Sequence, residues 1–331
     1  MTEQTPFSPD VLNLDPEQET DVICRSIRSA LINPLKRRGL VIGISGGIDS
    51  SVSLALAVKA IGKDRVVALQ MPETHSAEET LGISSRLAEH FGIETIHEDI
   101  TGILEAVRFY GRYDQAIQSV IPEYGRGWKS KLVVPDVTTK EGFTYFMVVA
   151  QNPDGEIVKK RLPLNAYLAV VAATNFKQRS RKMMEYYHAD RLHYAVVGTP
   201  NRLEYDQGFF VKLGDGAADI KPIAHLYKTQ VYRLAEYLGV PEEIRKRLPT
   251  TDTYSLPQGQ DEFYFSLPYD RMDLCLYGKN NGVSPAEVAG AVGLTPAQVE
   301  LVYKDIATKR ATTHYLHLAP LLVADVPEIS H

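Results

Sequence analysis

Residues 41 to 51 read Val-Ile-Gly-Ile-Ser-Gly-Gly-Ile-Asp-Ser-Ser. An apolar run enters a short loop crowded with Ser45, Gly46, Gly47, Asp49, Ser50 and Ser51, and an amphipathic stretch leaves it. That order predicts a strand, an oxyanion-cradling loop and a helix N-terminus. Glycines let backbone N–H groups crowd an anion, and the first helical turn adds unpaired donors and the positive end of the helix dipole. A Walker loop needs Gly, four residues, then Gly-Lys-Ser/Thr, and a dinucleotide fingerprint needs three glycines at fixed spacing. This stretch has neither spacing, so its phosphate chemistry belongs to another class.

The rest of the chain supplies a framework for such a loop. Strand-like Leu40 to Ile44, Arg65 to Met71 and Ile93 to Glu98 alternate with helical patterns after Asp49, from Ser76 to Phe91 and after Asp99. This alternation predicts an α/β fold with a doubly wound parallel sheet, whose ligands bind at the carboxyl ends of the strands. Residues 1–15 read as an irregular arm, 16–310 as one domain and 311–331 as a tail. Between 121 and 163 the pattern changes: Lys131 to Val137, Phe143 to Gln151 and Glu156 to Leu162 look extended around an Asn152-Pro153-Asp154-Gly155 turn, predicting an inserted β-hairpin. A helix from Leu164 to Ala189 and a strand from Tyr194 to Val197 follow, and the C-terminal third is helical, with Ser284-Pro285 and Thr295-Pro296 as helix starts.

Charge and cysteine content exclude several classes. The net charge is -5 across 331 residues, so no global field attracts nucleic acid or an acidic membrane. Cys24 and Cys275 are the only two cysteines and have no metal-ligand spacing, which points to a reducing compartment. No apolar run approaches the ~20 residues that span a membrane, and the N-terminus lacks signal-peptide order. A cytoplasmic protein is expected. Residues 284 to 299 can be drawn as a DNA-binding helix-turn-helix, yet Ala286 to Ala297 contains no lysine or arginine for phosphate contacts.

A second constellation spans residues 198 to 228. Glu204, Asp215 and Asp219 lie among glycines, and Lys228 begins the next helical stretch. Hard cations such as Mg²⁺ take carboxylate oxygens together with phosphate oxygens, which makes Asp49 and Glu204 candidate metal ligands holding ATP. Lys228 is a candidate for phosphate neutralisation.

The loop resembles the Ser-Gly-Gly-x-Asp-Ser pyrophosphate loop of ATP pyrophosphatases, whose fold is that of the adenine nucleotide alpha hydrolases. Further motifs follow in the order found in NAD synthetases: Asn175-Phe176-x-x-Arg179-x-Arg181, Gly198-Thr199 with Glu204, Lys212-x-Gly214-Asp215-Gly216-x-x-Asp219, Leu226-x-Lys228, Pro249-Thr250 and Gly259-Gln260-Asp261-Glu262. The resemblance runs from about residue 20 to 310 and is interrupted by the insertion. It implies a two-step reaction: ATP adenylates the nicotinate carboxylate of deamido-NAD, and ammonia then displaces AMP to give NAD. It also implies that Gly43, Ser45, Gly46, Gly47, Ile48, Asp49, Ser50, Ser51, Thr199, Lys228 and Thr250 contact ATP, and that Asp49 and Glu204 hold Mg²⁺. Asn175, Arg179, Lys212, Asp215 and Asp219 would hold deamido-NAD, with Asp49, Lys228 and Asp215 closest to the chemistry. Asp215 and Asp219 could equally orient ammonia.

Two departures accompany the resemblance. Ammonia-using members commonly carry a His before the Lys-Arg pair near the C-terminus, where this chain has Thr308 before Lys309-Arg310, with His314 nearby. The insertion falls just before Asn175. Glutamine-dependent members carry a large N-terminal amidase domain, and there is no room for one before residue 41. The resemblance therefore implies free ammonia or a separate glutaminase, and a homodimer. A relative amidating another carboxylate is the alternative.

Overall fold

Leu40 and Ile42 turn to one side of a sheet and Val41 to the other, and all three are fully buried. A strand buried on both faces needs cover on both. The computed structural model describes residues 7–76, 78–134, 146–247, 253–259 and 264–329. Within them β1 (Leu40–Gly43), β2 (Val66–Gln70), β3 (Glu94–His97) and β7 (Ala195–Val197) pair in parallel in the order β3-β2-β1-β7.

One face is covered by α1 (Pro16–Ile32), α2 (Ile48–Ile61), α3 (Glu78–Phe91) and α8 (Lys228–Tyr237), with the four-residue α9 (Glu242–Arg245) at its margin. The other carries α4 (Thr101–Ala106), α5 (Phe109–Gln118) and the long α6 (Leu164–Leu192). The single helix expected after Asp99 is thus two, broken at Arg108, whose φ of 56° is left-handed. The doubly wound expectation is met, and the Ser45–Ser51 loop leaves the carboxyl end of β1.

The insertion forms an antiparallel sheet of β4 (Lys129–Val133), β5 (Met147–Gln151) and β6 (Ile157–Arg161). The expected hairpin is β5 and β6, turned at Asn152 to Gly155, where Gly155 has a φ of 89°; β4 adds a third strand. Residues 135–145, including parts of two segments expected to be extended, lie outside the described residues. Leu132, Val148 and Ala150 are fully buried in the core beneath α5 and α6. Phe146 stacks on Tyr167 of α6 at 3.8 Å. The outer edge of β4 is occupied as well, since the N–H of Leu256 donates to Ser130 O at 3.1 Å and the N–H of Ser130 donates to Ser255 Oγ at 2.9 Å.

The C-terminal part packs α10 (Tyr269–Asn280), α11 (Pro285–Val292) and α12 (Pro296–His317) around Met272, Leu276, Val288, Val299 and Ile306. Ser284 with Glu287 and Thr295 with Gln298 complete capping boxes ahead of first-turn prolines. α12 continues past position 311 to His317. Near the other terminus, Pro9–Leu12 makes a 3-10 turn that buries Leu12 in this helical core, so this part of the arm is anchored.

Candidate active site

At the head of α2 the chain turns through Gly46, whose φ is +69°, and Gly47 serves as N-cap. A Cβ on Gly46 would come within 2.9 Å of Ile83 Cγ2, so glycine is required for space as well as for conformation. Ser50 Oγ and Ser51 Oγ both donate to the Gly47 carbonyl, at 3.0 and 2.9 Å. The N–H of Ser45 donates to Ser50 Oγ at 3.4 Å. These bonds hold the loop in shape and leave the first-turn N–H groups of α2 as its anion-binding face. Ile48 is buried in the core by its side chain, so only its backbone can serve a ligand.

Asp49 projects from that first turn toward two other elements. Its Oδ2 pairs with Lys228 Nζ at the start of α8, and its Oδ1 accepts from Asn201 Nδ2 at 3.1 Å. Asn201 is the N-cap of α7 (Arg202–Gln207), and its amide also donates to Glu204 Oε2 at 3.0 Å, so one side chain joins the two carboxylates. Burial, then the charge of Asp49, pushes the Glu204 carboxyl up to about 8. Burial works against the Lys228 ammonium, but Asp49 and Glu204 outweigh it and hold its pKa above the ordinary lysine value. Helix α7 was not anticipated from sequence, although Asn201-x-x-Glu204 is a capping-box signal within the glycine-rich stretch.

Two cavities meet at this loop. The first, of about 310 Å³, is lined by Gly43, Ser45, Ser50, Gln70, Leu81 and Ser84, among others, with α6 as one wall. The second, of about 320 Å³, is lined by Gly47, Asp49, Asn175, Glu204, Phe210 and Tyr254, among others. Ser45, Ser50, Gln178, Thr199 and Asp215 line both. Asp215 accepts from the N–H of Val211 at 2.7 Å, and burial raises its carboxyl above the usual range. Thr253 and Tyr254, on the segment braced against β4, complete the wall of the second cavity.

The expected residues divide into three groups. Gly43, Ser45, Gly47, Asp49, Ser50, Asn175, Thr199, Glu204 and Asp215 line one or both cavities, and Lys228 reaches them through Asp49. Four others are engaged elsewhere. Ser51 is fully buried with its hydroxyl on Gly47. Arg179 is exposed and donates to the Lys212 carbonyl at 3.3 Å, while Lys212 Nζ donates to the carbonyls of Tyr315 and Leu318 at 2.8 and 3.2 Å. Asp219 accepts from the N–H of Val196 at 2.7 Å and from Tyr186 OH at 3.4 Å, which ties it to β7. Thr250 and Gln260 to Glu262 lie outside the described residues. Thr308 and His314 are both exposed on α12.

Sequence reading missed Gln178, Lys182 and Glu185. They continue from Asn175 at helical spacing along one face of α6, a pattern visible once Asn175 is assigned. It also missed Asp273, which accepts hydrogen bonds from the backbone of Lys228 and Thr229 and comes from an element with no motif of its own.

The family model for NAD synthase matches residues 19–123 and 152–315, leaving β4 and β5 in the unmatched interval. The NH(3)-dependent NAD(+) synthetase of Rhizobium meliloti is 58% identical over 98% of this chain and 96% of its own length. That of Mesorhizobium japonicum is 56% identical over 96% of this chain and 100% of its own. Among solved structures, the NH3-dependent NAD synthetase from Campylobacter jejuni superposes with a TM-score of 0.62 at 21% identity, covering 94% of this chain and 100% of its own. That last likeness is one of fold, whereas the sequence matches are of family. With cavities, loop and sequence in agreement, the chain belongs to the NAD synthase family.

Proposed function

We propose that this protein makes NAD from deamido-NAD and ammonia at the expense of ATP. The observation that carries the reading is the junction of the two cavities at Ser45, Ser50, Gln178, Thr199 and Asp215, beside an oxyanion loop. ATP occupies the first cavity with its phosphates on the loop, and deamido-NAD occupies the second. Its nicotinate carboxylate then meets the α-phosphorus at the shared wall. Oxygen attacks phosphorus and pyrophosphate leaves; ammonia next attacks the activated carbonyl carbon, AMP departs and a proton is lost. Positioning and charge neutralisation supply most of the acceleration in phosphoryl chemistry, so no side-chain nucleophile is required. Asp215, at the junction, orients the incoming nitrogen.

Asp49 and Glu204 fit a divalent cation: both are hard oxygen donors, and burial together with the charge of Asp49 raises the Glu204 carboxyl. Among the described residues no cluster of three or more candidate metal ligands occurs, so phosphate oxygens would complete the set. Mg²⁺ bound there would neutralise phosphate charge.

A steady-state assay with ATP, deamido-NAD, Mg²⁺ and ammonium tests the reading. NAD, AMP and pyrophosphate formed in equal amounts are expected; pyrophosphate release with another carboxylic acid, and none with deamido-NAD, would overturn it. We also propose a homodimer. Leu164 and Leu168 near the start of α6 and Met183 and Tyr187 near its end are exposed apolar side chains suited to a second copy, and sedimentation as a monomer would refute that. The enzyme works in the cytoplasm, where Cys24 and Cys275 stay reduced. Among the described residues no helix is long and apolar enough to cross a membrane.

A further inference from the structure

Glu185 sits on the wall of the first cavity and is 7% exposed. Its Oε2 is held by Lys182 at 2.5 Å, one turn earlier on α6. Among the described residues its Oε1 makes no hydrogen bond. That oxygen lies beside Gly43, where a Cβ would stand 3.0 Å from it. A nearly buried carboxylate with one oxygen fixed by a lysine and the other left over is an acceptor in need of donors. Phosphate is excluded as its partner by charge. The sugar hydroxyls of a nucleotide are donors, and carboxylates recognise them in other nucleotide sites.

Position along the strand selects the sugar over the base. Gly43 is two residues ahead of Ser45, where the oxyanion loop begins, and Glu185 Oε1 meets the cavity wall at Gly43. The group bonded to the α-phosphate is the ribose, so the moiety next to the loop along β1 is the ribose. We infer that Glu185, fixed by Lys182, accepts hydrogen bonds from the ribose hydroxyls of ATP and sets the preference of this enzyme for ribonucleotides over deoxyribonucleotides. This rests on the assignment of ATP to the first cavity.

The test compares ATP, 2′-deoxy-ATP and 3′-deoxy-ATP as substrates of the full-length enzyme. A lost hydrogen bond to a charged acceptor is worth about tenfold or more, so wild type should show a KM for at least one deoxynucleotide about tenfold above that for ATP, with kcat little changed. Glu185→Gln should raise the KM for ATP and bring the ratio to within about twofold. Because that change strands a buried lysine, Lys182→Met/Glu185→Gln serves as a second variant without an unpaired charge. Throughout, the KM for deamido-NAD should stay fixed. Equal KM values for all three nucleotides in wild type would overturn the inference even if both variants fail to fold, and so would variants that keep the wild-type ratio. If the KM for deamido-NAD moves and that for ATP does not, the assignment of ATP to this cavity falls as well.

Discussion

Asp273 holds the backbone of Lys228: its Oδ1 accepts from the Lys228 N–H at 3.1 Å and its Oδ2 from the Thr229 N–H at 2.7 Å. A fully buried carboxylate on α10 therefore fixes the first turn of α8, the turn that delivers an ammonium to Asp49. Two N–H groups that no helical carbonyl can reach are satisfied from 45 and 44 residues downstream.

Asp273→Ala should leave both N–H groups buried without a partner and cost about 2–4 kcal/mol of stability. Urea denaturation gives that number. In the surviving folded enzyme kcat should fall, because Lys228 is no longer presented at a fixed height; an unchanged kcat would separate the cap from the site.

Burial pushes the Asp273 carboxyl up to about 7, against an ordinary aspartate near 4. A raised pKa in the folded state means that this group contributes stability below pH 4 and loses it as pH rises through 7. Between those limits wild type should lose on the order of 4 kcal/mol through Asp273. Asp273→Asn, which does not titrate, should lack that component, so the difference in unfolding free energy between wild type and variant should shrink as pH rises. Parallel curves would show that the carboxyl titrates normally.

Replacing Asp49 by Asn removes the charge that faces Lys228 and Glu204 while keeping the volume. Pyrophosphate release should fall by about a hundredfold or more with the fold retained by circular dichroism. Near-normal turnover would remove Asp49 from the chemistry.

Lys212 gives a prediction about the end of α12. Its ammonium donates to the Tyr315 and Leu318 carbonyls at the C-terminal end of α12, the position at which a cation satisfies orphan carbonyls and the helix dipole. Lys212→Ala should loosen that end, and limited proteolysis should cut after Tyr315 sooner than in wild type. A rise in KM for deamido-NAD with unchanged proteolysis would return Lys212 to the substrate.

Cys24 and Cys275 are buried, and burial raises both thiols, Cys275 up to about 12. Ellman's reagent at pH 8 should find no reactive thiol in the native enzyme and two after denaturation.

The parts legible in the sequence were those whose signal is local. The loop at Ser45 to Ser51 announced itself by glycine and serine, and the strands by apolar runs such as Val66 to Gln70, buried throughout. What stayed hidden depends on which segments meet. Nothing adjacent to Asp273 marks it as the cap of another helix. Arg179 and Lys212 were expected at the substrate, and a basic residue in a motif carries no sign of the carbonyls that both also meet in the fold. Ser130 Oγ shares hydrogen bonds with the hydroxyls of Tyr113 and Tyr124 at 2.8 and 2.9 Å in the buried seam of the inserted sheet, a fit that residue type alone does not foretell. Helix α7 was lost to its glycine-rich flanks.

Asn175, Gln178, Lys182 and Glu185 stand on successive turns of α6, and all four line the cavities. At 1.5 Å per residue, Asn175 and Glu185 are separated by about 15 Å of rigid helix. The helix is thus a measuring rod laid along both cavities, and its pitch fixes how far apart the side chains it presents to them can be. Side chains on the rod are free to change one at a time, but its register is not: one residue inserted between Gln178 and Lys182 would swing the far half by about 100° and turn one set of side chains away from its cavity.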